Sequence, residues 1–189
     1  FALTSEQMTV IAGGYLPPDA AWPVGEATIS LIETSLVHPD LAGPANIEIS
    51  IAPDQSVDLR IDGSDMIWPD AADGLLDGIT ARTSLRPTGT GWTVSTFNAR
   101  SPALDLTLSG DFEDTLDWRA TGDLAMSGAI PVSAVEIDGG LATAFRLVRD
   151  REALRIRAVT TSRQLQAGPV RLHSPRLGVR GRLGGVVDE

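Results

Sequence analysis

The chain has no cysteine and no lysine. The first absence excludes disulfides and thiolate metal sites while leaving the redox compartment open. The second makes all fifteen cations arginine, which fits coding at high G+C content without any special use of the guanidinium. Aromatics amount to only 5% against 42% hydrophobic residues, so any core must be aliphatic. There is no apolar run of about 18 residues to span a bilayer as a helix. No charged segment followed by an apolar one opens the chain as a secretory signal would. Also missing are a G-x-S-x-G elbow, a P-loop and an H-E-x-x-H helix. The expectation is a non-enzyme with no cofactor and no metal. A formal charge of −10 argues against nucleic acid as a partner, because phosphate binding needs a cationic surface.

What the chain does have is alternation. Ile47-Glu48-Ile49-Ser50-Ile51 and Val57-Asp58-Leu59-Arg60-Ile61-Asp62 swap apolar and polar residues at every step, with Ala52 to Ser56 as the turn between them. A period of two is what a strand with one apolar face requires, since successive side chains leave on opposite sides of the sheet. The same pattern returns at Ala27–Leu31, Ile79–Leu85, Trp92–Thr96, Leu104–Gly110, Leu116–Ala120 and Leu124–Met126. It continues at Val135–Asp138, Leu154–Ala158, Val170–His173 and Leu177–Arg180. Short strands at this cadence, with no long amphipathic helix, predict an all-β chain.

Three places are less regular. Residues 1 to 11 predict one strand, broken by Gly13-Gly14 and the Pro17-Pro18 turn. After Leu31 the phase slips, which fits either a bulge or a short helix over 31–36. Residues 68–78 lose the period and read as a loop or a single helical turn. Phe1 stands where a start methionine would, so the 189 residues read as one repetitive β-sheet segment of a longer chain.

Charge is uneven along the chain. Residues 1–145 hold 5 arginines against 21 acids, whereas residues 146–189 hold 10 arginines against 4 acids. Cross-strand pairing between solvated faces is the plain expectation. A basic edge that meets an anionic headgroup or an acidic partner is the alternative.

Few residues suggest chemistry. His38 and His173 lack companions at metal-ligand spacing and read as surface histidines. Asp58, Asp62 and Asp65, and likewise Asp70, Asp73 and Asp77, do not follow EF-hand spacing, although a loop calcium site near 70–77 is conceivable. Asp111, Glu113 and Asp114, with Trp118 as a platform, would be the carboxylates of a glycan-cleaving enzyme; solvated turn acids are the better reading.

The aliphatic stripe is the stronger candidate. Ile47, Ile49, Ile51, Val57, Leu59, Ile61, Leu104, Leu106, Leu108, Leu154 and Ile156 would line one face of a continuous sheet. Two such faces packed about 10 Å apart would make a β-sandwich, a binding module for protein or glycan with 68–78 and 86–91 as contact loops. A single face curved into a trough would instead accept acyl chains. Both arrangements hide the stripe from water, and periodicity does not separate them.

The stretches Ser101–Phe112 and Gly168–Leu183, with alternating leucines closed by glycine, resemble the degenerate repeats of the AsmA-like superfamily, which includes the TamB and YdbH types. The resemblance implies a mostly antiparallel, twisted sheet curved into an elongated open groove. It implies a large envelope protein of Gram-negative bacteria, located in the periplasm and anchored in the inner membrane through a segment absent from this chain. Such proteins are implicated in moving phospholipid toward the outer membrane, so the implied partners are phospholipid acyl chains in the groove and an outer-membrane partner met by other parts of the parent chain. It brings no catalytic residue with it.

Overall fold

The computed structural model describes residues 1–19, 22–68, 74–113, 117–127, 129–132, 135–151 and 153–184. The strands in chain order are β1 (Ala2–Thr4), β2 (Met8–Tyr15), β3 (Val24–Leu31), β4 (Ala45–Ile51), β5 (Val57–Asp62), β6 (Thr80–Pro87), β7 (Trp92–Arg100) and β8 (Leu104–Phe112). They continue as β9 (Trp118–Met126), β10 (Ala129–Val132), β11 (Val135–Asp138), β12 (Leu141–Asp150), β13 (Ala153–Thr161), β14 (Gln164–Ala167), β15 (Val170–His173) and β16 (Arg176–Gly184).

Twelve of these strands form one antiparallel sheet in the order β1-β2-β3-β4-β5-β6-β7-β8-β9-β12-β13-β16. From β1 to β9 it is a meander, each strand hydrogen-bonded to the one before it in the chain; β12 then pairs with β9 and β16 with β13, and β1 and β16 lie at the edges of the described sheet. The other four strands form a second sheet, ordered β10-β11-β14-β15. That order repeats β9-β12-β13-β16, so four threads of chain leave the large sheet side by side and pair again beyond a common break. Among the described residues the break falls after Met126 and at 139–140, 162–163 and 174–175. Gly139 (φ 129°) and Ser174 (φ 50°) lie on it in left-handed backbone, where a β ladder does not continue. Ser162 N–H donates to the Pro175 carbonyl at 3.2 Å and Ser174 N–H to that of Arg163 at 2.9 Å, which keeps two threads joined across it.

The expected hairpin is present in the expected register, with Ile47 opposite Ile61, Ile49 opposite Leu59 and Ile51 opposite Val57. Elsewhere the structure corrects the boundaries. The first eleven residues form two strands, not one, and β2 runs through Gly13-Gly14 without breaking. Gly14 and Gly25 are direct cross-strand partners, and a Cβ on either would collide with the backbone of the other strand. The pair therefore depends on the missing side chains. The phase slip after Leu31 is a 3-10 turn over Thr34–Leu36 and not a bulge; its cap is Glu33, whose carboxylate accepts from Ser35 N–H and from Gly43 N–H at 3.0 Å. The bulge occurs instead on β7, where Ser95 and Thr96 are accommodated between Val94 and Phe97. Segments 116–120 and 124–126 are one strand as far as they are described, and β12 lies where no strand was expected. Of the 68–78 segment, residues 69–73 lie outside the described residues. The rest holds a turn in which Asp77 N–H donates to Gly74 O, with Trp68 N–H donating to the Asp77 carboxylate.

Candidate functional site

Directly opposed residues of an antiparallel pair share a face, so the register decides which side chains meet. Ile49, Leu59, Thr83, Phe97, Leu108, Gly122, Phe145 and Ala158 are successive partners from β4 to β13. The row beside it runs Ile51, Val57, Leu85, Val94, Gly110, Ala120, Leu147 and Ile156. Ile47 and Ile61 lead through Ala81 and Ala99 to Leu106, while Leu104 faces Met126 and Leu154 faces Leu183. All eleven predicted stripe residues therefore lie on one face of one sheet. The β7 bulge matters here, because it returns both Val94 and Phe97 to the apolar side and sends Ser95 and Thr96 to the other.

That face is concave and open. Alanine gives the cleanest comparison, since the side chain is the same at each site. On the apolar face Ala99 is 3% exposed and Ala120 4%, whereas on the opposite face Ala125, Ala142 and Ala144 are exposed and Ala153, beside the β12–β13 turn, is buried. Even so, all eleven stripe residues remain partly exposed. A sandwich would bury them completely beneath a second layer. Buried hydrophobic residues among those described are few, the four alanines Ala45, Ala99, Ala120 and Ala153 with Val24, Leu31 and Met66. The sandwich alternative is therefore set aside: the strands form one open groove. Exposure rises toward the free edge, where Leu177, Val179 and Leu183 of β16 are 63%, 48% and 60% exposed.

The two ends of the groove differ. At one end lie the connection 32–44 and the described residues 63–68 and 74–79, the first two tied together by the Ala42–Ile67 bridge. The other end holds a hollow of about 440 Å³ over β2, β3 and β4. Ala12, Gly14, Gly25 and Ala27 thin its floor, Ile49 and Ile51 line it, and Phe1, Tyr15 and Leu16 contribute to its rim. Farther along that end, Pro87, Trp92, Phe112, Trp118, Arg149 and Leu154 form one register row. The Phe112 and Trp118 rings stack with centroids 6.0 Å apart. The sequence reading missed both the hollow and this row. Glycine was taken as a strand breaker, and strand-end aromatics have no partners within the span of one strand.

The polar face carries the charge. Glu48 reaches Arg60 at 3.9 Å, Asp105 reaches Arg100 at 3.0 Å, and Asp150 reaches Arg155 at 2.5 Å. In the arginine-rich part this pairing gives way to like charges, with Arg146 opposite Arg157 and Arg157 opposite Arg180. Asp111 belongs to the polar face, where Thr93 and Arg119 each bond its carboxylate at 2.9 Å. The Arg119 guanidinium first, then the Thr93 hydroxyl, hold its pKa below the ordinary carboxylate value. A glycosidase acid needs the opposite shift. Trp118, its supposed platform, faces the other side of the sheet, and Asp114 lies outside the described residues. His173 is exposed on β15; His38 is exposed in a loop, its ring 6.3 Å from that of Trp68. No cluster of three metal-ligating side chains occurs among the described residues, and Asp70 and Asp73 lie outside them.

Fold and site thus define a class: an open antiparallel β-sheet with a long apolar trough that stays partly exposed among the described residues. Compared with protein-family models, with curated proteins and with solved structures, the chain matches none of them.

Proposed function

We propose that this chain is a segment of a bridge-like lipid-transfer protein, whose trough carries phospholipid acyl chains while headgroups stay in water at the open seam. One observation carries the reading: eleven aliphatic side chains share a continuous, partly exposed face of a twelve-stranded sheet. Strands of about eight residues, set about 4.8 Å apart, give that face dimensions of roughly 50 by 25 Å. Its area exceeds the few hundred Å² of apolar patch that a soluble protein ordinarily tolerates. An acyl chain is a fitting cover, because it buries apolar surface at about 25 cal/mol per Å² and asks for no hydrogen bonds. The resemblance of the repeats to the AsmA-like superfamily extends the proposal to a periplasmic setting between inner and outer membranes. With no P-loop in the sequence, directionality would come from outside this segment. The stripe residues act together, and no single one is indispensable.

Native mass spectrometry of the purified chain tests this directly, with co-purified phospholipid as the expected result. A photoreactive residue at position 106 should crosslink to lipid, and one at 107, on the opposite face, should not. Absence of lipid, or equal labelling at both positions, refutes the proposal.

A further inference from the structure

The apolar-face positions of β12 run Leu141, Thr143, Phe145, Leu147 and then Arg149. By register, Arg149 is the only charged residue on that face among the described strand residues of the large sheet. It is partly buried, directly opposite Trp118 on one side and Leu154 on the other. Its Nε is fully buried and has no hydrogen-bond partner. No carboxylate among the described residues pairs with it: Asp150 next to it leaves on the other face and holds Arg155, and Asp111 holds Arg119. A buried guanidinium N–H without an acceptor is costly, and native structures leave few of them. Among the described residues, no group accepts a hydrogen bond from this Nε. Trp118, stacked on Phe112, adds an amphipathic ring of the kind that sits where hydrocarbon meets water.

We infer that Arg149 is a headgroup site at the end of the trough, taking the phosphate of a phospholipid whose acyl chains run inward over Leu147 and Ile156. The inference rests on the reading of this face as an acyl-chain path and adds to it an orientation: the lipid enters with its charged end at the aromatic row. The shared chemistry is a tetrahedral or planar oxyanion, which a guanidinium bonds in a bidentate manner through its two terminal nitrogens, the buried Nε being out of its reach. The tail and the phosphate together separate a phospholipid from inorganic phosphate and from a fatty acid.

The test measures uptake by the purified chain from vesicles of dioleoylphosphatidylglycerol, vesicles doped with dioleoylglycerol, and dispersed oleate, for wild type, Arg149→Gln and Arg149→Lys. Arg149→Gln should lower phosphatidylglycerol uptake about tenfold, as expected for loss of one charge-assisted contact. It should leave dioleoylglycerol unchanged, and Arg149→Lys should restore part of the loss. Equal uptake of both lipids by wild type and Arg149→Gln overturns the headgroup site and leaves the trough standing. A loss confined to oleate overturns the phosphate assignment. Competition by millimolar inorganic phosphate as effective as the lipid overturns the role of the tail. If wild type takes up neither lipid, both readings fall. Arg149→Met guards against a folding artefact: with no partner to lose, its urea midpoint should equal or exceed that of wild type. A clear drop would assign the guanidinium to the fold and overturn the inference.

Discussion

Replacing Leu106 with aspartate puts a carboxylate in the middle of the trough floor. Leu106 lies directly opposite Ala99 on β7 and Leu124 on β9, and it is partly buried. Fully burying a leucine is worth about 1.5–3 kcal/mol. The neighbouring strands supply roughly half of that, which leaves about 1 kcal/mol to come from an overlying acyl chain. The new carboxylate must also give up water or take a proton beneath that chain; a shift of about two pKa units costs roughly 3 kcal/mol. Together these predict a loss of about 4 kcal/mol in lipid binding, near a thousandfold. The assay is equilibrium uptake of phospholipid at pH 7, with circular dichroism to confirm the sheet. Asn98→Asp is the control: it adds the same charge on the polar face, opposite Arg82. The sign of the pH effect follows from desolvation. The aspartate titrates above its ordinary value, so the neutral acid prevails as pH falls, and Leu106→Asp should regain uptake near pH 5 while Asn98→Asp stays flat. A folded Leu106→Asp that holds wild-type lipid at pH 7 refutes the reasoning.

Other outcomes follow from the same register. Ala27→Trp, opposite Ala12 and Ile49, should fill the hollow at the groove end and lower lipid uptake severalfold by native mass spectrometry, without unfolding the sheet. Arg157→Glu replaces two arginine–arginine oppositions with two favourable pairs and should stabilise the chain by about 1 kcal/mol in urea titration; destabilisation would contradict the assigned register. Arg119→Gln removes the main cause of the depressed Asp111 pKa, so carboxyl carbon NMR should show Asp111 titrating higher than in wild type. The wild-type pair contributes above the unfolded carboxylate pKa and loses its contribution as pH falls through the lower folded value. The acid limb of the stability curve should therefore flatten in Arg119→Gln.

Legibility in the sequence followed the contrast between faces. The β4–β5 hairpin could be read because isoleucine and leucine alternate there with glutamate, serine, aspartate and arginine, and the parity of the stripe residues carried over to the three-dimensional face. Strand β12 could not, because Ala142 and Ala144 occupy its outer positions and blur the alternation. Missing that strand also hid Arg149, whose inward parity is defined only by pairing with Trp118 and Leu154. The choice between a sandwich and a groove was never local. It depends on whether anything covers the apolar face, and no period of two carries that information. The like-charge rows were hidden for a related reason, since they arise from partners 11 and 23 positions away along the chain.

The meander has a metric consequence. Every strand added to such a sheet lengthens it by about 4.8 Å, at the expense of one short turn and with no change to the strands already in place. Duplicating a hairpin would extend the molecule by about 10 Å, so the distance it reaches is set by counting. A fold of this kind works as a ruler, and gene-level copying of a few dozen codons is enough to match it to a wider gap.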